Sequence, residues 1–203
     1  VSRIERSQGV DSPRLAMPLL TLASVLKQAQ RSDDADAVFE RAIALTRKSF
    51  GPKHYLLGTL LSRQANLRLS QRRPQEALAL FTAAESALDE DDLERGNLLT
   101  ARGRTYVELE RYEEGERDLR AAFEFRRKSM GEDAGITWYS ASQWGVALRE
   151  SGRLGEAEKI QRQALPPASR DEHKRDVDER ERGQDDRRLQ IPLRTVAMTG
   201  PAA

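Results

Sequence analysis

The chain has 203 residues, of which 38% are hydrophobic, 33% charged and 5% aromatic, with a formal net charge of +1 and no cysteine. These figures suit an all-helical protein with a thin core of Ala and Leu, and they exclude disulfides and thiolate metal sites. A near-zero net charge supplies no global field toward nucleic acid or an anionic membrane.

Residues 1–9 are expected to be the end of a preceding helix. IERSQG at 4–9 matches RKSFG at 47–51 and RKSMG at 127–131, each a polar last turn followed by Gly. A Gly there closes a helix in a left-handed conformation, and the cations face the helix's negative end. A chain that opens on Val1 rather than Met is expected to be a fragment or a processed product. The apolar stretch Leu15 to Leu26 is too short to span a bilayer, contains Pro18 and lacks a signal cleavage pattern. It reads instead as a helix begun by Ser12-Pro13, an N-cap followed by proline at the first helical position.

From there the pattern predicts four helical hairpins. The first pairs helices near 13–30 and 34–50, broken by RSDD at 31–34. The second uses about 54–71 and 74–88, with Pro74 opening its second helix. The third uses about 92–109 and 112–130. The fourth uses about 134–151 and 154–165, with Ser151-Gly152 at its turn and Pro166-Pro167 ending it. Residues 170–188 carry 7 positive and 8 negative side chains around a single large apolar residue, Val177, so the tail over 166–203 is expected to be charged and disordered. Its last piece, 189–203, regains Leu189, Ile191, Leu193, Val196 and Met198, enough to dock on a partner or on the end of the array.

The hairpins share one register. The small residues Ala23, Ala65, Gly103 and Gly145 lie 42, 38 and 42 residues apart, and each is followed after 12 residues by a second: Ala35, Ala77, Gly115 and Ala157. Such a period marks a helical solenoid, whose repeats bury their apolar faces by stacking. Small residues are needed where two antiparallel helices cross closely, so Leu at Ala65 or Gly145 is expected to overpack the crossing at a cost of about 1–3 kcal/mol.

In these features residues 13–165 resemble the tetratricopeptide repeat, in particular the 42-residue variety of kinesin light chains and many bacterial regulatory proteins. The resemblance implies a right-handed α-solenoid, generally non-enzymatic and cytoplasmic, whose first helices line a concave groove for extended peptides or partner helices. By register that groove would present Thr21, Ser24 and Lys27; Ser62, Arg63 and Asn66; Asn97, Thr100 and Arg104; and Tyr139, Gln143 and Arg149. The segment DEDDLERG at 89–96 departs from the family pattern. So do Gln64, Arg68 and Arg102, which stand where large apolar residues are usual, and altered packing is expected around them.

Lys27, Arg63, Arg104 and Arg149 on one face suggest an acidic or C-terminal-carboxylate segment as ligand, with Asn66, Asn97 and Gln143 beside them and Asn66 and Asn97 pairing its backbone. The alternative is ordinary surface charge, partly paired with Glu108 and Glu150. Self-association through exposed repeat ends is the second functional reading. No catalytic, cofactor or metal constellation is found. His54 and His173 stand in a linker and in the tail without ligand-spaced neighbours, and Ser24 and Lys27 match S-x-x-K without its partner motifs. No phosphate-binding glycine loop is present, and nucleic acid and membrane are not expected partners. Trp138 and Tyr139 could offer an aromatic surface, whereas Trp144 reads as core.

Overall fold

The computed structural model describes residues 5–6 and 9–163. The expected charged tail, its apolar end at 189–203, His173 and the Pro166-Pro167 stop lie outside the described residues. Within them the chain forms eight α-helices and no strand: α1 (Ala16–Gln28), α2 (Ser32–Phe50), α3 (Tyr55–Ser70), α4 (Pro74–Ala87), α5 (Glu94–Glu108), α6 (Tyr112–Met130), α7 (Gly135–Glu150) and α8 (Leu154–Gln163). Each odd-numbered helix packs antiparallel on the even-numbered helix after it, giving four hairpins in an α-solenoid. Of the expected preceding helix only Glu5 and Arg6 are described. Both are helical, and Glu5 reaches Arg41 on α2 at 2.7 Å.

Ser12 is extended and Pro13 follows it, but the Ser12 side chain does not cap, and Pro13–Leu15 form a 3-10 turn before α1 begins. The proline ring satisfies the start of either helix type, since both begin with an N–H that has no partner. His54 caps α3, its Nδ1 accepting from the Leu56 N–H at 3.2 Å while its ring stacks on Phe50.

The turns inside the hairpins are built alike. Gln30, Arg72, Glu110 and Gly152 have φ of 60°, 60°, 59° and 82°, and each N–H bonds the carbonyl three residues back. The following N–H groups, of Arg31, Arg73, Arg111 and Arg153, bond the carbonyls of Leu26, Arg68, Tyr106 and Leu148, five residues back. This double closure is the Schellman motif, which satisfies the last carbonyls of the first helix. The same four arginines hold the carboxylate three residues on, Asp34, Glu76, Glu114 and Glu156, at 2.5–2.7 Å. Each bridge therefore ties the turn to the first turn of the second helix, where a negative side chain also meets the helix dipole favourably.

Between hairpins the backbone turns differently. Gly51 and Gly131 combine φ of 84° and 91° with ψ of −174° and 165°. That is the mirror image of extended backbone, open essentially to Gly alone.

The core follows the small-residue register. Ala23, Ala35, Ala65 and Ala77 are fully buried, and Phe39, Phe81 and Leu119 fill the space beside the crossings. The two backbones approach closely where both partners are Gly: a Cβ at Gly103 would lie 3.1 Å from the Gly115 carbonyl oxygen, and one at Gly115 3.0 Å from that of Gly103. A separate small cluster of Ala141, Leu148, Ala157 and Ile160, with Phe123 and Trp144 against it, holds the last hairpin.

Gln64, Arg68 and Arg102 are buried as the family's apolar residues would be, and their polar ends are satisfied by carboxylates from neighbouring helices. Asp36 on α2 accepts from Gln64 Nε2 at 2.8 Å and from Arg68 Nη2 at 2.7 Å, across the junction of the first two hairpins. Arg102 on α5 reaches back to Glu85 of α4 at 2.6 Å and forward to Asp118 of α6 at 2.5 Å. The expected change in packing therefore takes the form of two polar clamps. Losing one partner of such a pair costs roughly 3–5 kcal/mol, because a desolvated charge stays behind.

The first helices touch one another along the array, α1 with α3, α3 with α5 and α5 with α7, whereas no two second helices make a comparable contact. Hairpins joined closely on one side and splayed on the other curve toward the close side. The first helices thus form the inner layer.

Candidate binding face

The inner layer carries the side chains that the register assigns to a groove. Lys27 on α1 is half-buried, Arg63 on α3 and Arg104 on α5 are exposed, and none of the three closes a salt bridge or side-chain hydrogen bond among the described residues. Burial first, and then the Arg63 charge, hold the Lys27 ammonium below the usual lysine range. Two like charges thus face each other with no carboxylate between them. Arg149 leans on its neighbour Glu150 at 3.6 Å, and Glu108 closes no bridge. Elsewhere Arg31, Arg41, Arg73, Arg111, Arg120 and Arg153 each hold a carboxylate.

The amides are more committed than their exposure suggests. Asn66 Nδ2 donates to the Ser62 carbonyl at 2.9 Å. Asn97 is used at both ends, accepting at 2.7 Å from Arg126 Nη2 and donating at 3.1 Å to Glu94. Gln143 is half-buried and makes no side-chain hydrogen bond among the described residues. Thr21 and Ser24 turn their hydroxyls onto the carbonyls of Met17 and Leu20. Ser62 and Thr100 are buried between helices rather than lining the face, and the Ser62 hydroxyl has no partner there.

The residue that sequence reasoning missed is Arg126. It belongs to α6, a second helix, yet its guanidinium passes through to Asn97 and Thr100 on α5 and Ser140 on α7. The register looks for groove residues on first helices only, so a long side chain crossing from the layer behind is invisible to it. Tyr139, exposed on α7, stands beside this cluster, and Trp138 next to it is half-buried with its indole N–H unpartnered.

The outer side offers recesses rather than a groove. One of about 520 Å³ is lined by Glu40, Arg47, Gln64, Arg68 and Glu76 among others. Another of about 410 Å³ has Phe123 and Trp144 at its floor with Arg120, Arg153 and Glu116 around them. Arg68, Arg120 and Arg153 hold carboxylates there, whereas Arg47 in the first recess and Arg127 and Lys159 in the second close no salt bridge among the described residues. Among the described residues no cluster of His, Asp or Glu could hold a metal ion. No described helix is long and apolar enough to cross a membrane.

Two family models, both for the tetratricopeptide repeat, match residues 5–90 and 97–133, together more than half of the chain. The chain belongs to the tetratricopeptide repeat family. Its fold is that of kinesin-light-chain-type arrays. A kinesin-light-chain-like protein of Podosopora anserina with nearly identical TPR-like repeats superposes with a TM-score of 0.66 at 16% identity, covering 80% of this chain and 79% of that one. A variant of the same protein gives 0.67 with the same identity and coverage. BtubC (BKLC) from P. vanneervenii also gives 0.67, at 15% identity, covering 95% of this chain and 73% of that one. No curated protein matches the sequence. Tetratricopeptide repeats generally mediate protein–protein interaction.

Proposed function

We propose that the array holds an acidic, extended segment of a partner protein along the inner layer, with Lys27, Arg63 and Arg104 as its cationic contacts. The observation that carries this reading is that these three cations lie on successive first helices without a carboxylate, in a chain that pairs its arginines widely elsewhere. Unpaired guanidinium forks supply strong, charge-assisted hydrogen bonds to a carboxylate, and the exposed face leaves them open to one.

Titration of the intact chain with an acetylated, amidated tetraglutamate peptide, beside the variant Arg63→Glu/Arg104→Glu, tests the reading. The two proteins are first shown to melt alike. Charge reversal is expected to weaken binding by about tenfold or more, with the difference shrinking as salt is added. Equal affinity of the two proteins would sink the groove reading.

A second reading, self-association through the first repeat, is favoured by α1. There Leu22 and Val25 are exposed at positions that the later hairpins bury by stacking, with no described element over them.

A further inference from the structure

The two outer recesses occupy the same place in the repeat. Each lies between successive second helices, α2 and α4 in one and α6 and α8 in the other, with the first helix between them as its floor. Aligned by the small residues of the crossings, Trp144 corresponds to Gln64 and Leu148 to Arg68, while Arg127 corresponds to Arg47 and Lys159 to Ala79. The shape is shared and the chemistry is not. In the first recess Gln64 and Arg68 are tied to Asp36, and Arg47 and Arg68 are matched by Glu40 and Glu76. In the second the floor is aromatic and apolar, with the Phe123 and Trp144 ring centroids 5.8 Å apart. The Trp144 indole N–H is buried without a partner, so this surface is kept at a cost to the fold.

Charge in the second recess is also unbalanced. Four cations line it against three carboxylates. Arg153 holds both Glu116 and Glu156, and Arg120 holds Glu124 at 2.9 Å, so every carboxylate there is engaged. Arg127 on α6 and Lys159 on α8 remain. Arg127 rests over the Phe123 ring at 5.5 Å, and Lys159 acts on Glu156 only through space, adding to the Arg153 hydrogen bond that holds this carboxyl below the usual range. Nor does the aromatic surface run on along the array. At the middle junction Arg102 takes the place of Trp144, closed off by Glu85 and Asp118. What is left is a bounded recess of about 410 Å³, sized for a small molecule rather than for a length of peptide.

We propose that the recess between α6 and α8 binds a small aromatic acid, its ring against Trp144 and Phe123 and its carboxylate between Arg127 and Lys159. Aromatic rings pack favourably on indole and phenyl surface, and the two cations supply charge-assisted hydrogen bonds to the carboxylate. This site is separate from the inner layer and independent of the acidic-segment reading.

Titration of the intact chain with trans-cinnamate, followed through its two indole N–H resonances in nitrogen–proton NMR spectra, tests the proposal. Trp138→Phe assigns the resonances. The Trp144 signal is expected to shift saturably with a Kd of about 1 mM, the scale that ordinary efficiency per atom sets for so small a ligand. The Trp138 signal, from outside the recess, is expected to stay in place. Uncharged trans-cinnamamide is expected to bind about tenfold or more weakly. The same loss of cinnamate is expected in Arg127→Gln/Lys159→Gln, whose substituted side chains are exposed and whose melt is expected to match that of the intact chain. Trp144→Gln installs the residue found at Gln64 and is expected, by calorimetric titration, to lose cinnamate to a like degree; if it fails to fold, the charge variant decides alone. Arg63→Glu/Arg104→Glu is expected to bind cinnamate as the intact chain does. An unmoved Trp144 signal, equal affinity for the amide, equal affinity in the charge variant, or loss of cinnamate by the inner-layer variant would each overturn the proposal.

Discussion

Gln30, Arg72 and Glu110 hold a positive φ that side chains with a Cβ rarely adopt, and only the fourth turn places Gly, Gly152, at the equivalent residue. The motif is kept because the residue's neighbours satisfy three or four helix-end groups, which outweighs a strain of about 1–2 kcal/mol per residue. Glu110→Gly is therefore expected to stabilise the array by about 0.5–1 kcal/mol, after the greater freedom of Gly in the unfolded chain is counted. Urea melts of the two proteins would show the midpoint rising with an unchanged slope. A lower midpoint would mean that the turn is not strained. From sequence, Ser151-Gly152 reads as a turn directly, while the other three are legible only by register with it. The arginine that follows each turn recurs at the period of the repeat as well, so its bridge to the acid three residues on could have been found by aligning the four copies.

At the level of helices, the crossings differ in what limits them. The Cβ of any residue at Gly103 would meet the Gly115 carbonyl at 3.1 Å and Leu119 Cγ at 2.7 Å, whereas at Gly145 the close neighbour is Cγ of Gln161, at 2.8 Å, and the Ala157 carbonyl stands off at 3.5 Å. Backbone cannot retreat without moving a helix, while a Gln side chain can change rotamer. Gly103→Ala is expected to lower stability by about 1–3 kcal/mol, with Gly145→Ala near neutral. Thermal melts of the two single variants check the order, and equal losses would refute this account of the crossings. The spacing of small residues marked both sites alike. Which one is a backbone-to-backbone contact depends on Gly115 standing opposite Gly103 where Ala157 stands opposite Gly145, and on how closely the helices then approach.

For the array as a whole, the first hairpin differs from the later ones at two repeated positions. Val25 on α1 is 55% exposed, whereas its register equivalents Leu67, Thr105 and Ala147 are 0%, 1% and 1% exposed. Leu22 is likewise open where Gln64 and Arg102 are closed under the preceding hairpin. Leu22 and Val25 thus present apolar surface where the other hairpins are buried by stacking, and two copies of such a surface can pair about a two-fold axis. The intact chain is expected to show a concentration-dependent mass in sedimentation equilibrium, and Val25→Glu to remain a monomer. A monomer mass for the intact chain at its highest soluble concentration would rule out self-association through α1.

The period of small residues, the glycines after RKS and the proline starts by themselves determined a four-hairpin α-solenoid, because backbone closure and helix crossing admit few residue types and those recur at fixed spacing. The family resemblance, carried over by register, assigned Lys27, Arg63 and Arg104 to the first helices. What only the tertiary structure decided is which charges are spent. Gln64, Arg68 and Arg102 look like interruptions of an apolar pattern until Asp36, Glu85 and Asp118 are brought to them from other helices. Arg126 looks like one of several cations at a helix end until its burial and its three neutral partners are seen. A long side chain reaches across layers, so its partners lie 14 to 29 residues away in sequence and no local pattern names them.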